Sequence, residues 1–301
     1  MKNLTTYVAI LAAMVIWACS GIATKIGLTS FQPITLVTMR FVMAVVLMLI
    51  IGLASRSLVR LQRHDILLFL LAGFVQPFLY FIFESYSLKL LTSPTIAEAL
   101  LSTGPLFAPL FAWVLLRERV TWRNIAGIVI STAGMLLLIV DFGGATFDIG
   151  SPTGIVLAML AVFSAVFYTI LLRKMPARYN SLSIVFYVQL CSLLFFCPVW
   201  ALTDGRQLAA FSFSWQAFGA VTFLALFSSI TAFVLFCYAV RRLGVTRANA
   251  FNNIRPVFTA LIMLAFFGEQ LPAVKWIGIA VVIVGLFICQ SSGRLRQPQK
   301  N

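Results

Sequence analysis

Two apolar runs of the chain, 94–116 and 246–267, each carry a polar face together with a proline. In the first run, the helical period of 3.6 residues places on one face Thr95, Glu98, Ser102, Pro105 and Pro109. In the second run, the equivalent face comprises Thr246, Asn249, Asn253 and Pro256, with Asn252 at its edge. Hydroxyl, amide and carboxyl groups can hold a polar ligand through hydrogen bonds. The two faces therefore predict either a lined cavity or polar contacts with neighbouring helices.

The prolines in these runs are predicted to kink the helices. Pro105 cannot donate a hydrogen bond to the carbonyl of Leu101, and Pro256 cannot donate one to Asn252. A free carbonyl in the middle of a bilayer needs a partner or a wet cavity. Because the pattern occurs twice, cavity lining is favoured over a kink whose polar groups bond to neighbouring helices.

Charged side chains also interrupt the apolar runs. Glu98 can bind a substrate ammonium group or a coupling proton, or it can be a structural partner for Arg40. Glu84 has the same options, or it lies at the membrane interface. Arg255, in the middle of its run, can hold a carboxylate or phosphate through two parallel hydrogen bonds, or join two helices through backbone carbonyls. For Arg40, which is followed by an apolar run, we expect a structural role.

The composition excludes a water-soluble enzyme. The chain has 301 residues, of which 61% are hydrophobic and 10% charged, whereas a soluble protein is about one quarter charged. No P-loop, HExxH or GxSxG motif occurs, so neither ATP hydrolysis nor another enzyme activity is expected. The five cysteines form no CxxC pair and have no histidine nearby. We therefore expect no cofactor and no metal site.

Ten apolar segments are long enough to cross a bilayer, which takes about 20 residues. We number them segments 1–10, and they are 5–27, 33–54, 66–88, 94–116, 122–140, 152–172, 181–202, 215–240, 246–267 and 273–291. The predicted fold is an all-α integral membrane protein with ten transmembrane helices.

Basic residues alternate between the two sides of the predicted bundle. Counted with the adjoining ends of the segments, the loops after segments 2, 4, 6 and 8 and the tail after segment 10 carry three Lys or Arg each, whereas the opposite loops carry at most one. We call the side with these loops the basic side. The positive-inside rule places it, and both termini, in the cytoplasm. The net charge of +14 lies in short clusters between apolar runs, which excludes nucleic-acid binding.

Residues 95–134 match residues 246–285 at a shift of 151 without a gap, whereas the first parts of the two halves do not align this cleanly. The identical pairs include Thr95/Thr246, Pro105/Pro256, Glu118/Glu269, Gly127/Gly278 and Gly134/Gly285. Each half has five segments, and because five is odd the second half enters the membrane from the opposite side. The predicted organisation is a first repeat at 1–145, an inverted repeat at 146–291 and a polar cytoplasmic tail at 292–301. Inverted repeats are common in secondary transporters.

The repeated glycines and glutamates are predicted to be structural. Two glycines seven residues apart share one face of segment 5, and two more share one face of segment 10. Small residues at such positions let two helices approach closely. Glu118 and Glu269 lie in the turns just before these segments, where each is expected to cap the following helix.

Short motifs in both halves match a known family pattern. Segments 1 and 2 contribute Trp17, Ser20–Gly21, Lys25 and Arg40–Phe41. Each half then has a proline-containing segment, a glutamate turn and a Gly-x6-Gly segment, at 105–134 and 256–285. With these motifs the chain resembles the EamA-type branch of the drug/metabolite transporter superfamily over nearly its whole length.

The resemblance implies two inverted five-helix halves around a central cavity, lined mainly by segments 1, 3, 4, 6, 8 and 9. Members of the branch export amino acids, other metabolites or drugs, generally without ATP hydrolysis. Together with the polar faces, it points to a set of pathway residues: Trp17, Tyr80, Glu98, Ser102, Tyr168, Asn249, Asn252, Asn253 and Arg255. Trp17 or Tyr80 is expected to form a gate or a stacking surface.

The sequence thus predicts a secondary active exporter of small metabolites such as amino acids, working by alternating access in the inner membrane. Proton antiport, exchange and facilitated diffusion are all compatible with it. Two alternatives stay open: a multidrug or cationic-compound efflux protein with the same fold, and a membrane sensor or subunit that transports nothing. The expected partners are a small-molecule substrate and the lipid bilayer, without nucleic acid, and both a monomer and a homodimer fit the sequence.

Overall fold

The computed structural model describes residues 2–91, 100–139, 151–205, 214–267 and 272–291. Across these ranges the chain is helical and forms no strand. Seven helical stretches are long and apolar enough to cross a membrane, and two shorter apolar helices, Gly104–Leu116 and Trp122–Leu138, accompany them. The expectation of an all-helical chain with several membrane-spanning helices is therefore confirmed.

Most segments contain one uninterrupted helix. In segments 1, 2, 6, 7 and 10 these helices are Lys2–Gly27, Pro33–Ala54, Pro152–Lys174, Ser181–Leu202 and Ala273–Ser291. Segment 5 forms Trp122–Ile139, and the described part of segment 4 ends with Gly104–Leu116.

The other three segments are composite, and we give their parts in chain order. Segment 3, after a short 3-10 turn at Arg63–Asp65, comprises Ile66–Gly73, an irregular stretch Phe74–Leu79 that is kinked at Gln76, and Tyr80–Leu90. Segment 8 comprises Trp215–Phe223, a π-helical stretch Leu224–Ala232 and Phe233–Leu243. Segment 9 comprises Val245–Ala250, a 3-10 turn Phe251–Ile254 and Arg255–Phe267.

Local sequence sets where several helices begin. A proline stands in the first turn of the helices that begin at Pro33, Gly104 and Pro152, where its missing N–H has no intrahelical partner to lose. At the start of segment 7, the side chain of Asn180 accepts the backbone N–H of Ser183 at 2.7 Å. Because these signals are local, segments 2, 6 and 7 begin at the residues predicted from the sequence.

Segments 3 and 8 have irregular backbone at corresponding positions. At the shift of 151 residues, Phe74–Leu79 falls on 225–230, which lies within Leu224–Ala232. In segment 8 the stretch is π-helical, a rare conformation that is often found at functional sites, whereas in segment 3 it is kinked at Gln76, whose φ of −149° and ψ of 122° are extended. Inside a membrane segment, irregular backbone must be buried in protein or line a cavity.

Segments 4 and 9 are each interrupted just before a proline. In segment 4 the helix is broken at Ser102 and Thr103, and it resumes one residue before Pro105. In segment 9 the α-helix gives way to the 3-10 turn Phe251–Ile254, and it resumes one residue before Pro256. The interruptions coincide at the 151-residue shift and divide both segments near their middle.

Segments 5 and 10 cross in antiparallel orientation through their glycines. A methyl group on Gly127 would lie 2.3 Å from the backbone nitrogen of Cys289, and one on Gly134 would lie 2.6 Å from that of Val282. Both distances are far below van der Waals contact. Only glycine fits this crossing, in agreement with the structural role predicted for these residues.

Contacts among the other segments follow a two-fold pattern. Segment 2 packs on segment 7. Segment 3 packs on segments 6 and 7, and segment 8 likewise packs on segments 1 and 2. Segment 4 packs on segment 6, and segment 9 likewise packs on segment 1. Exchanging each segment with the one five places away reproduces these contacts. The main apolar core lies among these segments and almost completely buries Phe69, Tyr168 and Tyr179.

Candidate functional site

The π-helical stretch of segment 8 accepts hydrogen bonds from three other segments. The indole N–H of Trp17 donates to the carbonyl of Ser228 at 3.3 Å, and the amide of Gln189 donates to the carbonyl of Ser229. The guanidinium of Arg40 donates to the hydroxyls of both serines. Since a π-helical turn displaces carbonyls from their usual helical donors, this stretch supplies acceptors to segments 1, 2 and 7.

Arg40 is a buried cation whose charge is compensated. Its Nε–H donates to Ser229 Oγ at 2.9 Å and its Nη2 to Ser228 Oγ at 3.2 Å. The guanidinium lies 5.2 Å from the ring centre of Phe81 and interacts electrostatically with the carboxylate of Glu84. Only 5% of Arg40 is exposed. It therefore joins segments 2, 3 and 8, which is the structural role expected for it.

Tyr80 belongs to the same polar group. Its hydroxyl donates to the carboxylate of Glu84 at 2.9 Å, one helical turn further along segment 3. Through Glu84 it is connected to Arg40. The structure thus places this predicted pathway residue among the contacts that neutralise a buried cation.

Trp17 lies in an aromatic cluster formed by segments 1, 6 and 8. Its ring centre is 5.3 Å from that of Phe233 in an edge-to-face arrangement, and 5.1 Å from that of Phe236. Phe233 in turn lies 6.4 Å from Tyr168, which is only 1% exposed. Edge-to-face pairs fix ring orientation. Of these two predicted pathway residues, Trp17 is partly accessible and Tyr168 is buried core.

Arg255 stands above Trp17 and differs from Arg40 in its surroundings. Its guanidinium carbon is 5.7 Å from the Trp17 ring centre. Its Nε is buried without a hydrogen-bond partner, and among the described residues it forms no salt bridge. The structure therefore brings together two predicted site residues, Trp17 and Arg255, and no described carboxylate compensates the cation.

The asparagines of segment 9 point in different directions. The Asn249 amide donates to Thr169 Oγ1 of segment 6 at 3.0 Å, whereas the Asn253 amide donates to Ser131 Oγ and Thr132 Oγ1 of segment 5 at 2.8 and 3.0 Å. The single polar face predicted for them is therefore wrong. The reason is the intervening 3-10 turn, which has 3.0 residues per turn and rotates the residues that follow.

Asn252 and its carbonyl are also placed differently from the prediction. The Asn252 side chain is partly exposed and approaches Asn249 Oδ1 at 3.4 Å. Its backbone carbonyl accepts the N–H of Arg255. Pro256 therefore does not leave this carbonyl free, because the 3-10 turn supplies a donor from one residue earlier.

In segment 4, Ser102 is partly exposed at the helix interruption and Pro105 is buried. The hydroxyl of Thr103 donates to the carbonyl of Leu100 at 2.7 Å and so caps the interrupted turn. Glu98, the predicted site for an ammonium group or a proton, lies outside the described residues, as does Thr95.

Glu118 makes a contact that sequence reasoning missed. Its Oε2 accepts the backbone N–H of Val245 at 3.2 Å and that of Thr246 at 3.5 Å, at the beginning of segment 9. The expectation that it caps the following helix is therefore corrected, since Thr121 and Asn124 form a reciprocal cap there. Glu269, its counterpart in the repeat, lies outside the described residues.

The environment of Glu118 shifts its ionisation. Burial raises the pKa of this carboxyl above its ordinary value, and this effect exceeds the opposing influence of the Thr246 and Val245 N–H groups and the positive charge of Arg173. The negative carboxylate still suits the positive end of a helix. Glu118 thus connects the turn after segment 4 to segment 9 on the basic side.

A second connection on the basic side joins the loops after segments 2 and 6. Tyr179 donates through its hydroxyl to Asp65 Oδ2 at 2.6 Å, and Arg178 donates to the same oxygen. The hydroxyl of Tyr179 also accepts the N–H of Gln62 at 3.0 Å. The hydrogen bond with Asp65 raises the pKa of Arg178. These residues had no predicted role, since no sequence spacing relates the two loops.

Two surface grooves lie on the described part of the protein. One is lined by Trp113, Val114 and the turn 117–121, and the other lies between segments 1 and 8 and includes Cys19 and Phe223. Neither contains a predicted pathway residue. Ser228 and Ser229 had no predicted role. The feature of the sequence that could have identified them is a pair of adjacent hydroxyl residues inside an apolar run.

The family comparison covers nearly the whole chain. The model of the EamA-like transporter family matches residues 4–140 and 152–289. The "Uncharacterized transporter YetK" of Bacillus subtilis is 27% identical over 294 residues, covering 95% of this chain and 87% of the relative. The "Uncharacterized inner membrane transporter YedA" of Escherichia coli is 24% identical over 285 residues, covering 93% of this chain and 89% of the relative.

A relative with a more specific name and a solved structure also align. The "Probable terminal-alkyne amino-acid exporter" of Streptantibioticus cattleyicolor is 27% identical over 292 residues, covering 96% of this chain and 95% of that protein. One crystal structure superposes with a TM-score of 0.80 at 20% identity, covering 96% of this chain and 99% of the other. At that identity the superposition supports the fold alone.

Proposed function

The chain belongs to the EamA-like transporter family, and on this premise we propose that it is a secondary active exporter of small metabolites such as amino acids. Membrane transport follows from the family. Export of amino acids is suggested by the name of one relative, an amino-acid exporter that aligns along 96% of this chain. The observation that carries the proposal is the coincidence of the helix interruptions in the two halves, because discontinuous helices form the midplane sites of many secondary transporters.

The proposed architecture is ten crossings in two inverted repeats, 1–145 and 146–291. Three features support it: the gapless sequence repeat at a shift of 151 residues, the irregular stretches at corresponding positions of segments 3 and 8, and a pattern of segment contacts that is the same when the two halves are exchanged. Two oppositely oriented copies of one unit can adopt two arrangements of similar energy. Alternating access of a central site to either side is the expected consequence.

The proposed pathway runs between the two interrupted segments and segment 1. Trp17 and Arg255, which are in contact, would face the substrate, and the partly exposed Ser102 and Asn252 would offer hydrogen bonds. Asn249 and Asn253 would hold segment 9 in position from their contacts with segments 6 and 5. Tyr80 and Tyr168 would support the wall, and Pro105 and Pro256 would maintain the interruptions.

Glu98 is the proposed coupling residue, because a carboxyl one turn inside segment 4 can bind a proton or a substrate ammonium group. Replacing it by Gln is expected to lower transport without lowering protein yield. The rate and its pH profile, measured in proteoliposomes, test this role, and an unchanged rate and profile would refute it.

The proposed location is the inner membrane, with both termini in the cytoplasm. YedA, a relative, is named as an inner membrane protein, and the basic side of this chain has the charge bias of cytoplasmic loops. On this orientation, Glu118 and Asp65 hold the cytoplasmic side of the bundle together.

Efflux of multiple drugs or cationic compounds is the alternative function within the same family. The uncompensated Arg255 beside Trp17 disfavours it, since a positive charge repels a cationic substrate in a low-dielectric interior. Resistance screening in cells separates this alternative from metabolite export. A non-transporting sensor or subunit is the other alternative, and flux through the purified chain would eliminate it.

The decisive experiment is efflux from proteoliposomes loaded with a mixed pool of amino acids, small metabolites and cationic dyes. Mass spectrometry identifies what leaves, with and without a pH gradient. Selective loss of metabolites is expected, and dependence on the gradient would establish coupling. Loss of the dyes alone would favour drug efflux, whereas retention of every compound by folded protein would contradict the exporter.

A further inference from the structure

Arg255 lies inside a predicted membrane segment, and none of the described residues supplies a hydrogen-bond acceptor to its Nε. It begins the second α-helix of segment 9, in the middle of that segment. Within the part of the chain that the structure describes, its side chain makes one polar or aromatic contact, the ring of Trp17 at 5.7 Å. A guanidinium inside a bilayer normally pairs with an anion, a backbone carbonyl or water.

Arg40 is a second arginine inside a predicted membrane segment, and it differs from Arg255 because its guanidinium has partners within the protein. It has two serine hydroxyls within 3.2 Å and the carboxylate of Glu84 acting on it. Arg255 instead has a buried Nε with no acceptor. An unpaired buried donor of this kind is expensive, so the contrast indicates that the partner of Arg255 comes from outside the protein.

The geometry around Arg255 selects the chemistry of that partner. The indole N–H of Trp17 is occupied by the carbonyl of Ser228, so Trp17 presents its ring and not a donor to the guanidinium. The Nε and one Nη of an arginine form a planar fork that matches the two oxygens of a carboxylate. The partly accessible ring of Trp17, which Phe233 and Phe236 hold from the buried side, favours an apolar group attached to that carboxylate.

We propose that Arg255 binds the carboxylate of the transported molecule through its unoccupied guanidinium fork, while the ring of Trp17 contacts the apolar part. The substrate class is thus a small carboxylate with an apolar side group, free or as an amino acid. That the bound molecule is also transported rests on the proposed function. Binding of a carboxylate to Arg255 can be tested without measuring flux.

The test compares acids with their amides, which have the same shape without the charge. The probes are 3-phenylpropionate, hexanoate, L-phenylalanine and L-leucine, each paired with its amide. Binding to the purified full chain is measured by calorimetry in nanodiscs of phosphatidylcholine. At least one acid is expected to bind about 10-fold or more tightly than its amide, as loss of a charged hydrogen bond implies. Equal binding in every pair would overturn the proposal.

Variants assign any preference to the side chain. Arg255→Met is expected to abolish the preference for the acid, and Arg255→Lys to weaken it, because an ammonium group lacks the planar fork. The matched control is Arg123→Gln, which removes a charge from an exposed position on the basic side and should keep the preference. If Arg255→Met does not fold, the preference for the acid over its amide is measured in Arg255→Lys and Trp17→Phe instead. A preference that persists undiminished in the folded Arg255 variants would also overturn the proposal.

A lipid phosphate is the other source of an anion. Nanodiscs that contain phosphatidylglycerol distinguish it: acid binding that is unaffected supports a site for a small carboxylate, whereas its abolition by this lipid would assign Arg255 to a headgroup and overturn the proposal. The proposed export function fails separately. Acid-selective binding without any flux would refute the export function but support the carboxylate site at Arg255. Export of molecules with and without a carboxylate at equal rates would refute that site but support the export function.

Discussion

The carboxylate of Glu118, in the turn between segments 4 and 5, accepts a hydrogen bond from the backbone N–H of Val245 at 3.2 Å. Val245 is the first residue of the helix that begins segment 9, directly after Gly244, whose φ of 86° lies in the left-handed region that favours glycine. A residue of the first half thus caps a helix of the second half. The contact holds the beginning of an interrupted segment on the basic side.

Removal of this cap is expected to destabilise the protein. Glu118→Ala deletes the acceptor of the Val245 and Thr246 N–H groups and should lower the free energy of unfolding by about 0.5–2 kcal/mol, whereas Glu118→Gln retains an acceptor oxygen and should lose less. Thermal unfolding in detergent measures the difference. Arg119→Ala, which changes the exposed neighbouring residue, is the control. An equal loss in the Arg119 and Glu118 alanine variants would contradict the cap.

The stability of the wild-type protein is also expected to depend on pH through Glu118. Burial raises the pKa of this carboxyl, so the folded state binds the proton more tightly than the unfolded state does. Its contribution to stability is therefore present below the unfolded pKa of about 4.3 and is lost as pH rises through the folded pKa. The melting temperature of wild type minus that of Glu118→Gln should decrease from pH 4 to pH 7. A difference that stays constant or increases would show that burial does not dominate.

The crossing of segments 5 and 10 should not tolerate a side chain larger than glycine. Gly127→Ala places a methyl group 2.3 Å from the backbone nitrogen of Cys289, and overpacking of this kind is expected to cost about 1–3 kcal/mol of unfolding free energy. Gly219→Ala is the matched control, because a methyl group there has no atom within 4 Å. Thermal unfolding should separate the two variants, and a Gly127 variant as stable as the control would disprove the close crossing.

The two neighbouring asparagines of segment 9 should respond differently to alanine. Asn253→Ala removes the hydrogen bonds to Ser131 and Thr132 and should reduce the free energy of unfolding by about 1–3 kcal/mol. Asn252→Ala removes one long contact from a partly exposed side chain and should have a smaller effect on stability. Unfolding and efflux are measured on both variants. Reduced efflux with retained stability in Asn253→Ala would place that side chain in the pathway after all.

Several features of the fold could be predicted from the sequence because they depend on local or linear patterns. Apolar length identifies helices that cross a bilayer, and the proline and asparagine signals locate the beginnings of segments 2, 6 and 7. The repeat predicted that segments 4 and 9 behave alike, and both are interrupted just before their prolines. The repeat also identified glycines on which segments 5 and 10 cross.

The candidate site was harder to predict because the partner of a polar side chain is set by packing. Helical periodicity placed Asn249 and Asn253 on one face, but the 3-10 turn between them sends them to different segments. Nothing in the spacing of Arg40 identifies Ser228 and Ser229 as its acceptors, since about 190 residues separate them.

The sequence by itself determined that this protein is a helical membrane protein of the EamA-like transporter family. Hydropathy, charge bias and motif order depend only on the residue types and their order along the chain. The tertiary structure alone decided which polar side chains have hydrogen-bond partners and which partners they have. It assigned Glu118 to segment 9 and compensated Arg40, and it placed Arg255 beside Trp17 with no acceptor for its Nε among the residues that the structure describes. The physical reason is that a hydrogen bond depends on distances of about 3 Å between segments, and only the packing of the helices sets those distances.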